Sequence, residues 1–121
     1  MRLVKGKRSM QVSITQAQGV RILRGLMCTR SSHTPLYFKL RFPFSIHSFF
    51  VFYPFFAVWI GKRNRILRTD LVSPFTFHIS PPDGTTGLLE IPVHTKYTSQ
   101  GTFLVGKKQF FALLSSRRTN I

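Results

Sequence analysis

Gly101-Thr-Phe-Leu-Val-Gly106-Lys107-Lys108 spells G-x-x-x-x-G-K. That is the opening of a loop which wraps a nucleotide's phosphates in backbone amides. The eighth position of such a loop is Ser or Thr, whose hydroxyl holds Mg²⁺, but here it is Lys108. Phe103, Leu104 and Val105 are bulky where bare amides must approach phosphate, and no βαβ frame precedes them. The segment therefore reads as a turn glycine, a short strand and a solvated lysine pair. No cofactor-binding residue is assigned to it.

The other groups able to do chemistry are sparse. His33, His47, His78 and His94 show no paired spacing, and Cys28 is the single cysteine. This pattern excludes a disulfide framework and gives no set of metal ligands. Asp70, Asp83 and Glu90 are all the acids the chain has. Asp83 belongs to the turn Pro81-Pro82-Asp83-Gly84, and Glu90, among apolar residues, is expected to face solvent from a strand. Cys28 has no identifiable base to activate it. The chain is accordingly read as no enzyme, with no catalytic residue, no metal, no cofactor and no small-molecule substrate.

Cations are the abundant chemistry. Eighteen Lys and Arg stand against three acids, a net charge of +15, and no acid precedes Asp70. Two short clusters, Lys5-Gly-Lys-Arg8 and Lys62-Arg-Asn-Arg65 followed by Arg68, have the composition of phosphate-backbone contacts. Tyr37 and Phe38, interleaved with Lys39 and Arg41, have rings that could stack on bases. Basic charge alone is not a recognition motif, so a nucleic-acid partner is unsupported by any signature.

The elements that must position these groups divide the chain in three. Residues 1–41 read as a basic, disordered or weakly helical tail. Gln11 to Arg30 can be drawn as an imperfect amphipathic helix with the look of a mitochondrial transit peptide. Residues 42–60 are free of charge and contain seven Phe, with Tyr53 and Trp59 besides. As a helix they would extend about 28 Å, close to the ~30 Å of a hydrocarbon core. Pro54 interrupts that helix, and strict alternation over Phe38 to His47 favours a strand instead. A buried strand pair is one competing reading, since aromatic and β-branched residues suit strands, and an aggregation-prone segment with basic gatekeepers in a chain without a stable fold is the other. The remainder of the chain reads as short and polar for covering so many rings. Residues 61–121 read as a basic juxtamembrane cluster followed by a weak β meander. Its strand candidates are Phe75 to Ile79, Leu88 to Val93 and Thr102 to Val105. Ser99-Gln-Gly101 reads as a turn, and Phe110 to Leu114 as a strand or short helix.

The fold expected is thus a small membrane-associated chain. It has one transmembrane helix over 42–60, partly disordered flanks, and weak β-hairpin segments in the C-terminal half. Its expected location is a membrane, with the mitochondrion as the alternative. The expected partner is the lipid bilayer, including anionic headgroups that the flanking cations would hold at about 1 kcal/mol each. No specific biochemical function follows. The acid-poor, Phe-rich composition also fits an unselected reading frame, since the complement of Lys and Glu codons reads as Phe and Leu. The alternative function is a basic RNA- or ribosome-binding protein delivered to mitochondria.

Overall fold

The computed structural model describes residues 1–16, 34–39, 53–74 and 79–119. An interior strand of its sheet is drawn from the apolar segment. Phe55–Ile60 (β5) carries six consecutive apolar residues, all buried. An uninterrupted apolar run of this length is what a strand covered on both faces requires. Gly87–Pro92 (β7) pairs antiparallel along one side of it, from Phe55 opposite Pro92 to Ile60 opposite Gly87. Ile66–Val72 (β6) pairs antiparallel along the other side, with a bulge at Trp59/Ile60. Leu36–Lys39 (β4) continues the sheet beyond β7, and Thr15–Gln16 (β3) joins β4 in parallel. The five strands run in the order β3-β4-β7-β5-β6. Before them, Arg2–Lys5 (β1) and Arg8–Gln11 (β2) form an antiparallel hairpin.

Two helices follow the sheet, Thr98–Val105 (α1) and Lys107–Thr119 (α2). The strand period of two sends Phe56, Val58 and Ile60 to one face with Leu89 and Ile91, where Phe103, Leu104, Phe110 and Leu114 of the helices pack on them. Leu3 and Val12 of the N-terminal segment close the same core. The opposite face gathers Leu36, Phe38, Phe55, Ala57, Trp59, Val72 and Leu88. The corner between the helices is glycine chemistry. Gly106 takes φ 91° and ends α1, and Gly101 lies against the ring of Phe110, which its missing side chain admits.

This architecture overturns the expected fold class. A transmembrane helix over 42–60 is incompatible with β5, an interior strand of the sheet paired on both sides, at Phe55–Ile60. No helix among the described residues is long and apolar enough to cross a membrane. The physical reason is that β7, β6 and the helices supply the cover that the rest of the chain was read as lacking. The single-pass membrane description and the membrane location rested on that helix and fall with it. Residues 42–52 lie outside the described residues. The flanks are also more regular than expected. A helix beginning at Gln11 is replaced by β2 and β3 as far as Gln16, while 17–33 lie outside the description. Thr102 to Val105 is helix rather than strand, and Ser99 to Gly101 is its first half rather than a turn. Phe110 to Leu114 takes the helical alternative. The strand at Leu88 to Val93 is present as β7, and the turn at Pro81 to Gly84 has Gly84 at φ 86°.

Candidate functional site

The two basic clusters, 54 or more residues apart in sequence, lie along one seam of the fold. Lys5 and Arg8 are register partners at the end of the β1–β2 hairpin, whose two-residue loop puts Gly6 at φ 61°. Positive φ at the first central position is what a tight hairpin loop of this kind demands of glycine. The second cluster forms the β5–β6 turn. Gly61 N–H donates to the carbonyl of Arg65 at 2.9 Å and Arg65 N–H to the carbonyl of Lys62 at 3.3 Å. Val4 forms a parallel bridge with Arg65, and β1 packs against the Lys62–Asn64 turn and the start of β6. The hairpin is therefore seated beside the β5–β6 turn.

Hydrogen bonding sorts these cations into two groups. Lys5 Nζ donates to the carbonyl of Leu104 at 2.6 Å. That carbonyl is in the last turn of α1, where helix carbonyls lack partners and a cation is favoured. The Arg8 guanidinium sits 5.3 Å from the centroid of the Phe103 ring. Both side chains fasten the hairpin to α1. Arg68 is engaged too: its Nε donates to Asp70 Oδ2 at 2.8 Å, an Nη donates to the carbonyl of Ser80 at 2.5 Å, and the guanidinium lies 5.8 Å from the Trp59 ring centroid. Lys7, Lys62, Arg63 and Arg65 remain. All four are exposed and make no side-chain hydrogen bond or ion pair among the described residues. Beside them, a groove of about 470 Å³ runs between β6 and the helices, lined by Leu67, Leu104 and Val105 with Lys5 and Arg68.

No acid pairs with these four cations among the described residues. Asp70 is held by Arg68 and by the indole N–H of Trp59, which donates to the same Oδ2 at 2.9 Å. Asp83 is exposed in its turn. Glu90 is the surprise: it is on a strand, as expected, but only 5% exposed rather than facing solvent. It pairs in register with Leu36 and Ala57 at the middle of the sheet, and its Oε1 has no hydrogen-bond partner among the described residues. Burial alone pushes its carboxyl up to about 8. Asp70 stands in the same cross-strand row, opposite Ala57.

The remaining sequence candidates disperse. Gly101 is buried inside α1 and Gly106 ends that helix, so the G-x-x-x-x-G-K string spans a helix corner and not a phosphate loop. Phe38 is buried in the sheet and Tyr37 packs over Gly87, which removes both rings from base stacking. The ring nitrogen of His94 accepts from Lys96 N–H at 3.0 Å, a local cap. Cys28, His33, Arg41, His47 and His78 lie outside the described residues. No group of three His, Cys, Asp or Glu that could hold a metal occurs among the described residues. Sequence reasoning found both basic clusters but not their adjacency. The turn signals Gly6 and Asn64 inside them were the available clue, since each marks a chain reversal that presents its neighbours at a loop tip.

No protein-family model and no curated protein matches the chain. Two solved structures resemble it. A protein of unknown function from Novosphingobium aromaticivorans matches with a TM-score of 0.64 and 13% identity, over 83% of this chain and 76% of its own. A protein from Sinorhizobium meliloti, provisionally named a transcription regulator, matches with a TM-score of 0.65 and 17% identity, over 75% of this chain and 77% of its own. At such identities the likeness establishes a shared fold and nothing finer.

Proposed function

We propose that this chain binds nucleic acid through the phosphate backbone, using the seam where the β1–β2 loop meets the β5–β6 turn. The observation that carries the reading is that Lys7, Lys62, Arg63 and Arg65 are exposed and without a partner among the described residues, in a chain whose three acids all lie elsewhere. Cations presented together at loop tips repel one another and favour a polyanion that neutralises several at once. Phosphate contacts of this kind fix position without reading sequence. The Sinorhizobium neighbour's name is compatible with a nucleic-acid partner, but the likeness to it carries the fold alone.

The test is binding of fluorescent duplex and single-stranded oligonucleotides across a salt series. Four phosphate contacts give a slope of log K against log salt near −3.6 on duplex, so roughly a hundredfold of affinity disappears between 50 and 200 mM. Replacing Lys7, Lys62, Arg63 and Arg65 by Ser should flatten most of that slope. A charge-matched variant with Lys39, Lys96, Lys107 and Lys108 changed to Ser should keep it. Equal losses in the two variants would mean diffuse attraction by net charge, and the seam would then be no site. Binding to anionic vesicles as tight as to nucleic acid would also overturn the reading.

A further inference from the structure

Arg63 occupies a backbone conformation that its residue type disfavours. It has φ 60° and ψ 29°, and Asn64 after it has φ 57°. Two successive left-handed residues closing a strand-to-strand turn is the geometry for which Asn, Asp and Gly are selected at both positions. Asn64 obeys that preference. Every other positive φ among the described residues belongs to glycine, at Gly6, Gly84 and Gly106. Arg63 is thus the exception among the described residues, where Gly or Asn otherwise stands wherever φ is positive. Backbone hydrogen bonds of the β5–β6 turn hold this conformation, but the Arg63 side chain contributes nothing to it: it is exposed and has neither hydrogen bond nor ion pair among the described residues. A strained, disfavoured residue type kept at a solvent-facing tip, with a side chain that serves no contact among the described residues, points to a contact outside the molecule.

We infer that Arg63 is a dedicated phosphate-binding residue, retained at the apex of the β5–β6 turn at the expense of fold stability. This inference rests on the nucleic-acid reading above and sharpens it to one side chain. The planar guanidinium can grip a phosphate with two parallel N–H donors, which a lysine cannot do. Stability and affinity therefore pull in opposite directions at this position.

The experiment compares the full chain with Arg63→Asn and Arg63→Lys by thermal unfolding and by oligonucleotide titration over a salt series. Arg63→Asn should raise the melting midpoint by roughly 2 to 5 °C, because Asn tolerates the left-handed conformation. It should also weaken binding about three- to tenfold near 100 mM salt and make the salt slope shallower by about one. Arg63→Lys keeps charge and strain, so its midpoint should match the wild type while its affinity falls by less. If wild type binds with the expected salt dependence and Arg63→Asn binds equally well, the assignment of Arg63 is wrong and the seam stands. If Arg63→Asn melts no higher than wild type, the conflict between stability and binding is refuted. If the wild type shows no salt-dependent binding, the nucleic-acid reading fails and the assignment goes with it.

Discussion

Glu90 gives the chain an unusual dependence of stability on pH. The carboxyl sits between Leu36 and Ala57 on the two neighbouring strands, without a partner for Oε1 among the described residues, and burial raises it from 4.5 to about 8. Because this is an acid held protonated in the fold, the sign is opposite to that of a salt-bridged carboxylate. Below about pH 4.5 folded and unfolded chains both carry the proton, and the contribution is fully present. Between pH 4.5 and 8 the unfolded chain releases a proton that the folded chain keeps, so stability falls as pH rises. Each pH unit in that window removes about 1.4 kcal/mol, on the order of 5 kcal/mol across the whole of it and about 3 kcal/mol by pH 7. That is a large share of the 5 to 15 kcal/mol typical of a domain. The perturbation is Glu90→Gln, a neutral group of the same shape. The assay is urea unfolding at pH 4.5, 6 and 7.5, followed by the emission of Trp59, the single tryptophan. Histidines and the net charge of +15 also respond to pH, but they are common to both proteins and cancel in the difference. Glu90→Gln should match wild type near pH 4.5 and exceed it by about 3 kcal/mol at pH 7. Parallel stability curves for the two proteins would show that Glu90 ionises freely in the fold, and the argument from burial would be refuted.

Other substitutions probe the frame. A Cβ at Gly101 would collide with the Phe110 ring, so Gly101→Ala should cost about 1 to 3 kcal/mol by overpacking, read as a lower urea midpoint. An unchanged midpoint would mean that the α1–α2 corner is looser than described. Asp70→Ala leaves the indole N–H of fully buried Trp59 without its acceptor and should destabilise by about 1 to 3 kcal/mol. Arg68→Ala, removing a pair whose arginine is 42% exposed, should cost well under that. Equal losses from the two would refute the ranking.

What the amino-acid order determined by itself was charge, local chemistry and a few short elements. The absence of acids before Asp70, the turn at Pro81 to Gly84 and the strand from Leu88 were all legible, while the alternation from Phe38 to His47 lies almost wholly outside the described residues. They depend on residue type and on near neighbours, which sequence states directly. The poverty of catalytic and metal-binding groups was legible for the same reason, as an expectation. Tertiary structure alone decided where the rings of Phe55 to Ile60 go. An uncharged aromatic run leaves water whether its cover is lipid or protein. Only the pairing of β5 with β6 and β7, and the helices laid over Phe56 and Val58, supplies protein. Tertiary structure also decided the fate of the charges. Lys5, Arg8 and Arg68 read like their neighbours in sequence, yet each is spent on a carbonyl, a ring or a carboxylate of the fold. Lys7, Lys62, Arg63 and Arg65 are left facing outward. That division arises from tertiary contacts, Lys5 with Leu104, Arg8 with Phe103 and Arg68 with Trp59 and Ser80, and contacts between residues so far apart leave no trace in local composition.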